Sequence, residues 1–357
     1  MKKTNPHAWN LTDLKKVKKN GFTVFSTFAC GGGSTMGYKR AGFDVIGAND
    51  IDPEMAEHYK KNHKPKHYFL CPINELANME LPDDIKNVDI LDGSPPCSSF
   101  SMSGNRDKDW GKDKHFREGQ TKQVLDDLFF DYLDTVDLIK PKVAIAENVK
   151  GMLMGNAKGY VVQIMDRFKE IGYTPQLFLL NAADCGVPQR RERVFFCAIR
   201  NDLVDKVKPL KISVNKTERV TCGEALEGLE LTAEDREYGR FTTIHTHKTW
   251  WYKTRPGYAY SHGVKEAGLP HKLWNWIKLA KGSPAPTIAS GSPVTHWDEP
   301  RALCAKEFIR LGSFPDDYWL ERMALGRYIV GMSVPPKMTE VVAAAVRDQW
   351  LTPTKDD

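Results

Sequence analysis

From Phe22 to Ile199, short apolar runs alternate with turns and amphipathic stretches, the pattern of a layered βα fold. Residues 22–28, FTVFSTF, read as an apolar strand. They run into Ala29, Cys30, Gly31, Gly32, Gly33, Ser34, Thr35, Met36 and Gly37, then a helical stretch to Ala41. Strand, glycine-rich turn and helix form the first unit of a Rossmann-like sheet, whose helix N-terminus favours an anion. Gly42–Gly47 leads to a second strand with Asp50 at its tip, and Asp52-Pro53-Glu54 opens a helix. Residues 68–73, YFLCPI, read as a third strand. Val88, Ile90 and Leu91 begin a fourth, which stops where Pro95 and Pro96 remove two backbone donors. Leu125 to Ile139 has apolar residues at helical spacing and ends at Pro141. Val143–Ala146, Thr174–Leu180 and Val194–Ile199 read as further strands, with an amphipathic helix over Gly155–Gly172.

From Asn201 to Pro293 the strands shorten and aromatic residues mix with basic ones. This predicts a small lobe with its own aromatic core, to which Trp250, Trp274 and Trp276 are assigned. A cationic lobe broken by Gly and Pro also suits a DNA groove. Arg327–Val346 reads as a turn and a helix returning to the main domain. The basic start, with Lys15, Lys16, Lys18 and Lys19, reads as a solvated tail.

Composition narrows the function. A net charge of +5 over 357 residues draws a polyanion only weakly, so local patches must do the binding. Seven cysteines stand singly, at 30, 71, 97, 185, 197, 222 and 304, which argues against zinc and dithiol sites and for a reducing cytosol. No uninterrupted apolar run approaches the ~20 residues of a membrane span.

Candidate chemistry sits at strand ends. Cys97 follows Pro95-Pro96 on a stiff turn at a carboxyl edge, where open α/β sheets bind ligands. The residues alone leave it between an inert buried cysteine and a reactive thiolate. Glu147-Asn148-Val149 ends another strand; by itself Glu147 reads as a structural acid. In Gln189-Arg190-Arg191-Glu192-Arg193 the arginines abut a strand, so at least one guanidinium faces the sheet's active edge. Asp50 could serve ribose hydroxyls or a helix cap. Ser103–Gln123 is charged and glycine-punctuated, either a plain surface loop or a lid that closes over DNA with Arg106, Lys108 and Lys112 on phosphates.

Pro-Pro-Cys with Ser-Phe-Ser after it, Glu-Asn-Val, Gln-x-Arg-x-Arg and the closing Ser-Val helix, taken in that order from Phe22 to Val346, resemble the DNA (cytosine-5) methyltransferases of prokaryotes and phages. The resemblance implies an α/β Rossmann-like methyltransferase fold, doubly wound and mostly parallel with its last strand antiparallel, beside a smaller target-recognition lobe. It divides the chain into a tail (1–20), a catalytic and cofactor-binding domain (21–200), a target-recognition domain (201–293) and a returning segment (294–357). The implied reaction moves a methyl group from S-adenosylmethionine to carbon 5 of cytosine in a specific duplex DNA sequence. It proceeds through a Cys97 adduct on a flipped-out base and needs no metal. The resemblance makes Cys97, Glu147, Arg193 and Arg191 catalytic. It gives the cofactor Phe28, Ala29, Cys30, Gly32, Gly33, Asp50, Ile51, Ile73, Asp92, Ser94, Pro96 and Ser333. The substrate takes Ser101, Ser103, Asn148 and Gln189. It also implies a cytoplasmic, nucleoid-associated monomer acting on double-stranded DNA, beside a cognate restriction endonuclease encoded elsewhere.

The chain departs from the family at five places. Cys30 and Ser313 stand where glycines are usual, Ile51 where an aromatic is, Pro72 where an acid is and Met332 where an asparagine is. Three rivals weigh against the implied function: a dinucleotide-dependent oxidoreductase, a catalytically silent DNA-binding relative, and a transfer-RNA methyltransferase of the same family. The first leaves Pro-Pro-Cys and Gln-Arg-Arg-Glu-Arg without a purpose. Intact Cys97, Glu147 and Arg193 oppose the second. The third lacks its Cys-Phe-Thr signature.

Overall fold

The computed structural model describes residues 5–96, 113–114, 123–124, 127–155, 157–241, 245–269, 276–291 and 294–355. They form two compact units. The sheet unit comprises Lys16–Asn181, Glu192–Ser213 and Met338–Asp357; the second comprises Met1–Lys15, Ala182–Arg191 and Val214–Lys337.

The sheet unit is built on β1 (Thr23–Thr27), β2 (Asp44–Asp50), β3 (His67–Leu70), β4 (Ile90–Gly93), β5 (Val143–Val149), β6 (Tyr173–Asn181) and β7 (Glu192–Arg200). Their spatial order is β3-β2-β1-β4-β5-β7-β6. The pairs from β3 through to β5 are parallel, and β7 runs antiparallel to both β5 and β6. Helices α1 (Gly33–Arg40), α2 (Pro53–His63), α3 (Leu128–Ile139) and α4 (Ala157–Glu170) make the crossovers. β1, β4 and β5 are buried almost throughout, which is why they read as unbroken apolar runs. Phe25, Leu91, Tyr132, Val136, Ala144, Ile164 and Phe196 are fully buried in the main core.

The doubly wound, mostly parallel sheet agrees with expectation; several local readings do not. The third strand ends at Leu70, and Pro72, without an N–H for a ladder, caps the 3₁₀ turn Ile73–Asn78. The lobe expected to hold short strands is instead mostly short helices among the described residues: α5 (Cys222–Leu226), α6 (Ala233–Tyr238), α7 (His245–Lys253) and α8 (Tyr260–Glu266). Thr221 and Thr232 open α5 and α6 with capping boxes, the local signal that the aromatic content masked. Trp250 and Trp251 are buried in an aromatic cluster, against which Trp276 packs; Trp274 lies outside the described residues.

The basic start is no free tail from Asn5 onward. Trp9 is buried and its Nε1–H donates to the Ser313 carbonyl at 3.0 Å, because an indole this large is driven out of water with its donor satisfied. Within the second unit α9 (Ala305–Leu311) packs on α10 (Ala324–Met332). The closing turn and helix prove to be two helices, α10 and then α11 (Pro336–Val346), separated by Ser333, Val334 and Pro335. By length and composition Ala324–Leu351 is apolar enough to cross a membrane, but 67% of its most apolar window is buried. Arg40 on α1 pairs with Glu340 on α11 at 2.6 Å inside the sheet unit.

Tyr132 of α3 locks the centre of the sheet. Its hydroxyl is 3.0 Å from the carbonyls of Leu91 on β4 and Ile145 on β5. Its ring fills the space beside Gly93, where an added Cβ would lie 2.6 Å from it. Tyr132→Phe leaves those carbonyls without their buried donor. We expect it to lower unfolding free energy by about 1–3 kcal/mol in a denaturant titration, with an unchanged m-value.

Candidate active site

Register fixes which residues share the carboxyl edge. Ser26 pairs with Ala48, Thr27 with Gly93, and Gly93 with Ala146. Counting on from these pairs, Asp50, Phe28, Ser94 and Glu147 form one row across β2, β1, β4 and β5. Because β7 is reversed, its start lies at the same edge: Val149 faces Arg193 and Glu147 faces Phe195. Arg193 thus shares a sheet face with Glu147, and its Nε lies 2.7 Å from the Glu147 carboxylate. Their side chains are only 13% and 10% exposed. Burial pulls the Arg193 pKa down and the Glu147 carboxylate opposes it. Arg193 also donates to the Glu192 carbonyl at 2.8 Å.

The loop that leads to Cys97 is held from the same strand end. Asn148 is buried, its Nδ2 donates to the Pro95 carbonyl at 3.0 Å, and its Oδ1 accepts from the Val149 N–H at 2.8 Å. Beside it, Lys150 donates to both carboxylate oxygens of Glu192 at 2.9–3.0 Å. Ser94 and Pro96 are half-buried. Cys97, Ser101 and Ser103 lie outside the described residues, as do Arg106, Lys108 and Lys112.

The turn after β1 carries three left-handed residues: Phe28 (φ 51°), Cys30 (φ 46°) and Gly32 (φ 82°). Asp50 holds it from the next strand. Its carboxylate accepts the Cys30 N–H at 2.7 Å and the Asp52 N–H at 2.9 Å, while burial raises its pKa to about 6. Asp52 is the N-cap of α2, accepting from Glu54 and Met55. Gly32 is obligatory for a second reason. A Cβ there would fall 2.1 Å from His63 Nε2. Burial lowers the His63 pKa to about 3, so the ring is neutral and Nε2–H donates to the Gly31 carbonyl, 3.1 Å away. Gly33 begins α1, Ala29 and Ile73 are buried, and Ile51 is half-buried.

Asp92 lies beneath this turn. Its carboxylate accepts the Ser26 hydroxyl at 2.8 Å and the Tyr38 hydroxyl at 3.1 Å, and burial raises its pKa to about 7. His63, Tyr38 and Ser26 had no signal in the sequence.

Three expected site residues belong to the second unit. Arg191 is buried, and its terminal nitrogens donate to the carbonyls of Ile288 and Gly331 at 3.0 and 2.8 Å. Gln189 is fully buried; its Oε1 accepts the Ile288 N–H at 3.1 Å and its Nε2 reaches the Leu311 carbonyl at 3.5 Å. Ser333 ends α10, with its hydroxyl buried and unpartnered.

A sheet ordered β3-β2-β1-β4-β5-β7-β6 with β7 reversed defines the Rossmann-like fold of the S-adenosylmethionine-dependent methyltransferases. Among solved structures, a proposed DNA modification methyltransferase encoded within an E. coli prophage shares this fold. Its TM-score is 0.71 at 19% identity, over 92% of this chain and 99% of that one. A DNMT2 mutant of Spodoptera frugiperda aligns at TM-score 0.57 and 19% identity, over 92% of this chain and all of that one. The chain belongs to the C-5 cytosine-specific DNA methylase family, whose sequence model matches residues 22–348. The enzyme is accordingly a DNA cytosine-5 methyltransferase. Type II methyltransferase M.FnuDI of Fusobacterium nucleatum is 29% identical over 91% of this chain and 94% of its own length. M.MthTI of Methanothermobacter thermautotrophicus is 29% identical over 91% and 96%.

Two outcomes follow from the buried charges. Glu147→Gln keeps the side chain's shape but leaves a buried guanidinium without its counter-charge. We expect about 3–5 kcal/mol lost in thermal or urea unfolding of the apoprotein. Asp92 has a folded pKa of about 7, against about 3.9 for an unfolded aspartate. The folded state keeps a proton that the unfolded state releases, so stability falls as pH rises through that window. Asp92→Asn removes this component, and unfolding measured from pH ~4 to ~7 should show a flatter profile in the variant.

Proposed function

We propose that this enzyme methylates carbon 5 of a flipped-out cytosine in a specific duplex sequence, through a covalent adduct on Cys97. The observation that carries this reading is the row at the carboxyl edge: Glu147 paired with Arg193, and Asn148 holding the loop that runs into Pro96 and Cys97. Type II relatives support a place in restriction-modification, beside a cognate endonuclease. We assign target reading to residues 201–293, and the enzyme acts as a monomer in the cytoplasm.

Carbon 5 of cytosine is too weak a nucleophile to take a methyl group unaided. A Cys97 thiolate adding to carbon 6 makes carbon 5 enamine-like. A free thiol has a pKa of ~8.5, so Cys97 needs activation by its surroundings. Glu147, as general acid, delivers a proton to ring nitrogen 3 and Arg193 donates to oxygen 2, so the negative charge developing on the ring is met by two fixed donors. After transfer the carbon 5 proton passes to water, the Cys97–carbon 6 bond breaks, and the ring regains its aromaticity. The reacting carbons are inaccessible inside a stacked duplex, hence the flipped base. Arg191 and Gln189, bound to backbone carbonyls, act by positioning the turn that precedes β7.

The residues present fit S-adenosylmethionine. The half-buried Asp50 carboxylate accepts backbone amides among the described residues, and hydroxyl donors from a ribose would offset its desolvation. Phe28, Gly32 and Gly33 belong to the turn that Asp50 holds beside it. When bound, the sulfonium supplies an electrophilic methyl group.

The test is covalent trapping. Wild type and Cys97→Ala are incubated with S-adenosylmethionine and mixed-sequence duplexes containing 5-fluorocytosine. Fluorine cannot leave as a proton does, so the wild type should give a denaturant-stable protein–DNA adduct and the variant none. Sequencing the trapped DNA then reads out the target. Absence of adduct on every duplex, with DNA and cofactor both bound, would overturn the Cys97 assignment.

A further inference from the structure

Behind the glycine turn, α2 and β3 supply a pair of tyrosines. Tyr59 is fully buried with Ala29 and Ala48, and Tyr68 packs against the same cluster with its ring 5.4 Å from Tyr59. Lys60 Nζ covers the Tyr68 ring at 4.8 Å. The two hydroxyls differ. That of Tyr59 lies 2.7 Å from Thr35 Oγ1. That of Tyr68 is shut off from water and has no hydrogen-bond partner among the described residues. A buried donor left unsatisfied costs free energy, so an orphan phenol in a well-packed sheet asks for a ligand.

Position says which ligand. Ala48 pairs with Tyr68 and Asp50 with Leu70, so Tyr68 shares a sheet face with Asp50, one alternate position before the carboxyl edge. Burial first, and the Asp50 carboxylate second, raise the phenol's pKa and keep it a donor. Asp50 accepts two backbone N–H groups and retains lone pairs for more. Ile51 and Pro72, which follow β2 and β3, carry no polar side chain. A phenol with one O–H to donate, on the same sheet face as a carboxylate that only accepts, suits a group able to do both, which is a hydroxyl.

We propose that Tyr68 is a further cofactor-binding residue, whose hydroxyl donates to a ribose hydroxyl that in turn donates to Asp50. The inference rests on the cofactor pocket proposed above and adds to it a contact from β3.

The test is calorimetric binding of S-adenosylhomocysteine, the demethylated product, and of its 2′-deoxy and 3′-deoxy analogues, with thermal melting as the folding control. Tyr68→Phe removes one oxygen and keeps the ring. We expect it to weaken S-adenosylhomocysteine about tenfold, the value of one hydrogen bond. That loss should vanish for whichever deoxy analogue lacks the bonded hydroxyl. Equal affinity of wild type and variant for S-adenosylhomocysteine would overturn the proposal, pointing to water as the partner. So would an equal loss on all three ligands, which marks a purely structural role. Asp50→Asn separates the two levels of the argument. If it weakens binding while Tyr68→Phe does not, only the Tyr68 contact fails; if it too leaves affinity intact, the ribose reading of the pocket fails with it.

Discussion

A carboxylate taken out of water at the end of a parallel strand needs a counter-charge, and the sheet can supply it only from a strand that begins where the others finish. β7 is that strand. Its reversal between β5 and β6 brings Arg193 to the Glu147 carboxylate, at an edge otherwise made of carboxyl-terminal ends. Neither group is tolerable there alone. Together they set a cation and a carboxylate side by side at one edge, where the proposed mechanism has Arg193 donate to oxygen 2 of cytosine and Glu147 deliver a proton to nitrogen 3. The antiparallel insertion is therefore a condition for this ion pair as well as a topological detail.

The rest of that edge is held by polar groups turned inward. Asp50 grips the backbone of the glycine turn, His63 props it from below, and Asp92 joins β1, β4 and α1 through two hydroxyls. His63 and Asp92 are buried and Asp50 half-buried, and each is shifted toward its uncharged form. A sheet whose ligand edge rests on such groups trades electrostatic comfort for fixed geometry. Left-handed backbone at the non-glycine residues Phe28 and Cys30 is part of the same trade, since strain of this kind persists only where surrounding bonds over-determine it. At Cys30 the Asp50 carboxylate on its N–H is one such bond.

What could be read from the chain follows from how local each signal is. β1, β4 and β5 were legible because burial on both faces writes an apolar run, and Pro95-Pro96 marks the end of β4 without reference to anything distant. Asp52 as a cap was legible for the same reason. The helical lobe was not, because two-turn helices carry little periodicity, and their capping boxes were overlooked beside the aromatic and basic residues. His63 was invisible on principle: its importance comes from the missing side chain of Gly32, thirty-one positions earlier, and only the folded α2 brings the two together. Trp9 was misread because a basic neighbourhood outweighed the one residue in it that water rejects most strongly.

The arginine run shows where a periodic argument breaks. Gln189, Arg191 and Arg193 have the same parity, so a strand through all three would aim them together at the active edge. The strand begins at Glu192 instead. Before that point the backbone bonds to residue 285, with Arg190 N–H on the Ala285 carbonyl and Ala285 N–H on that of Pro188. Arg191 and Gln189 consequently spend their side chains on the carbonyls and N–H of Ile288, Gly331 and Leu311, while Arg193 meets a carboxylate. Two guanidiniums two residues apart thus do different physical work. One satisfies backbone acceptors, which any well-placed donor could do. The other neutralises a buried charge, which requires a cation.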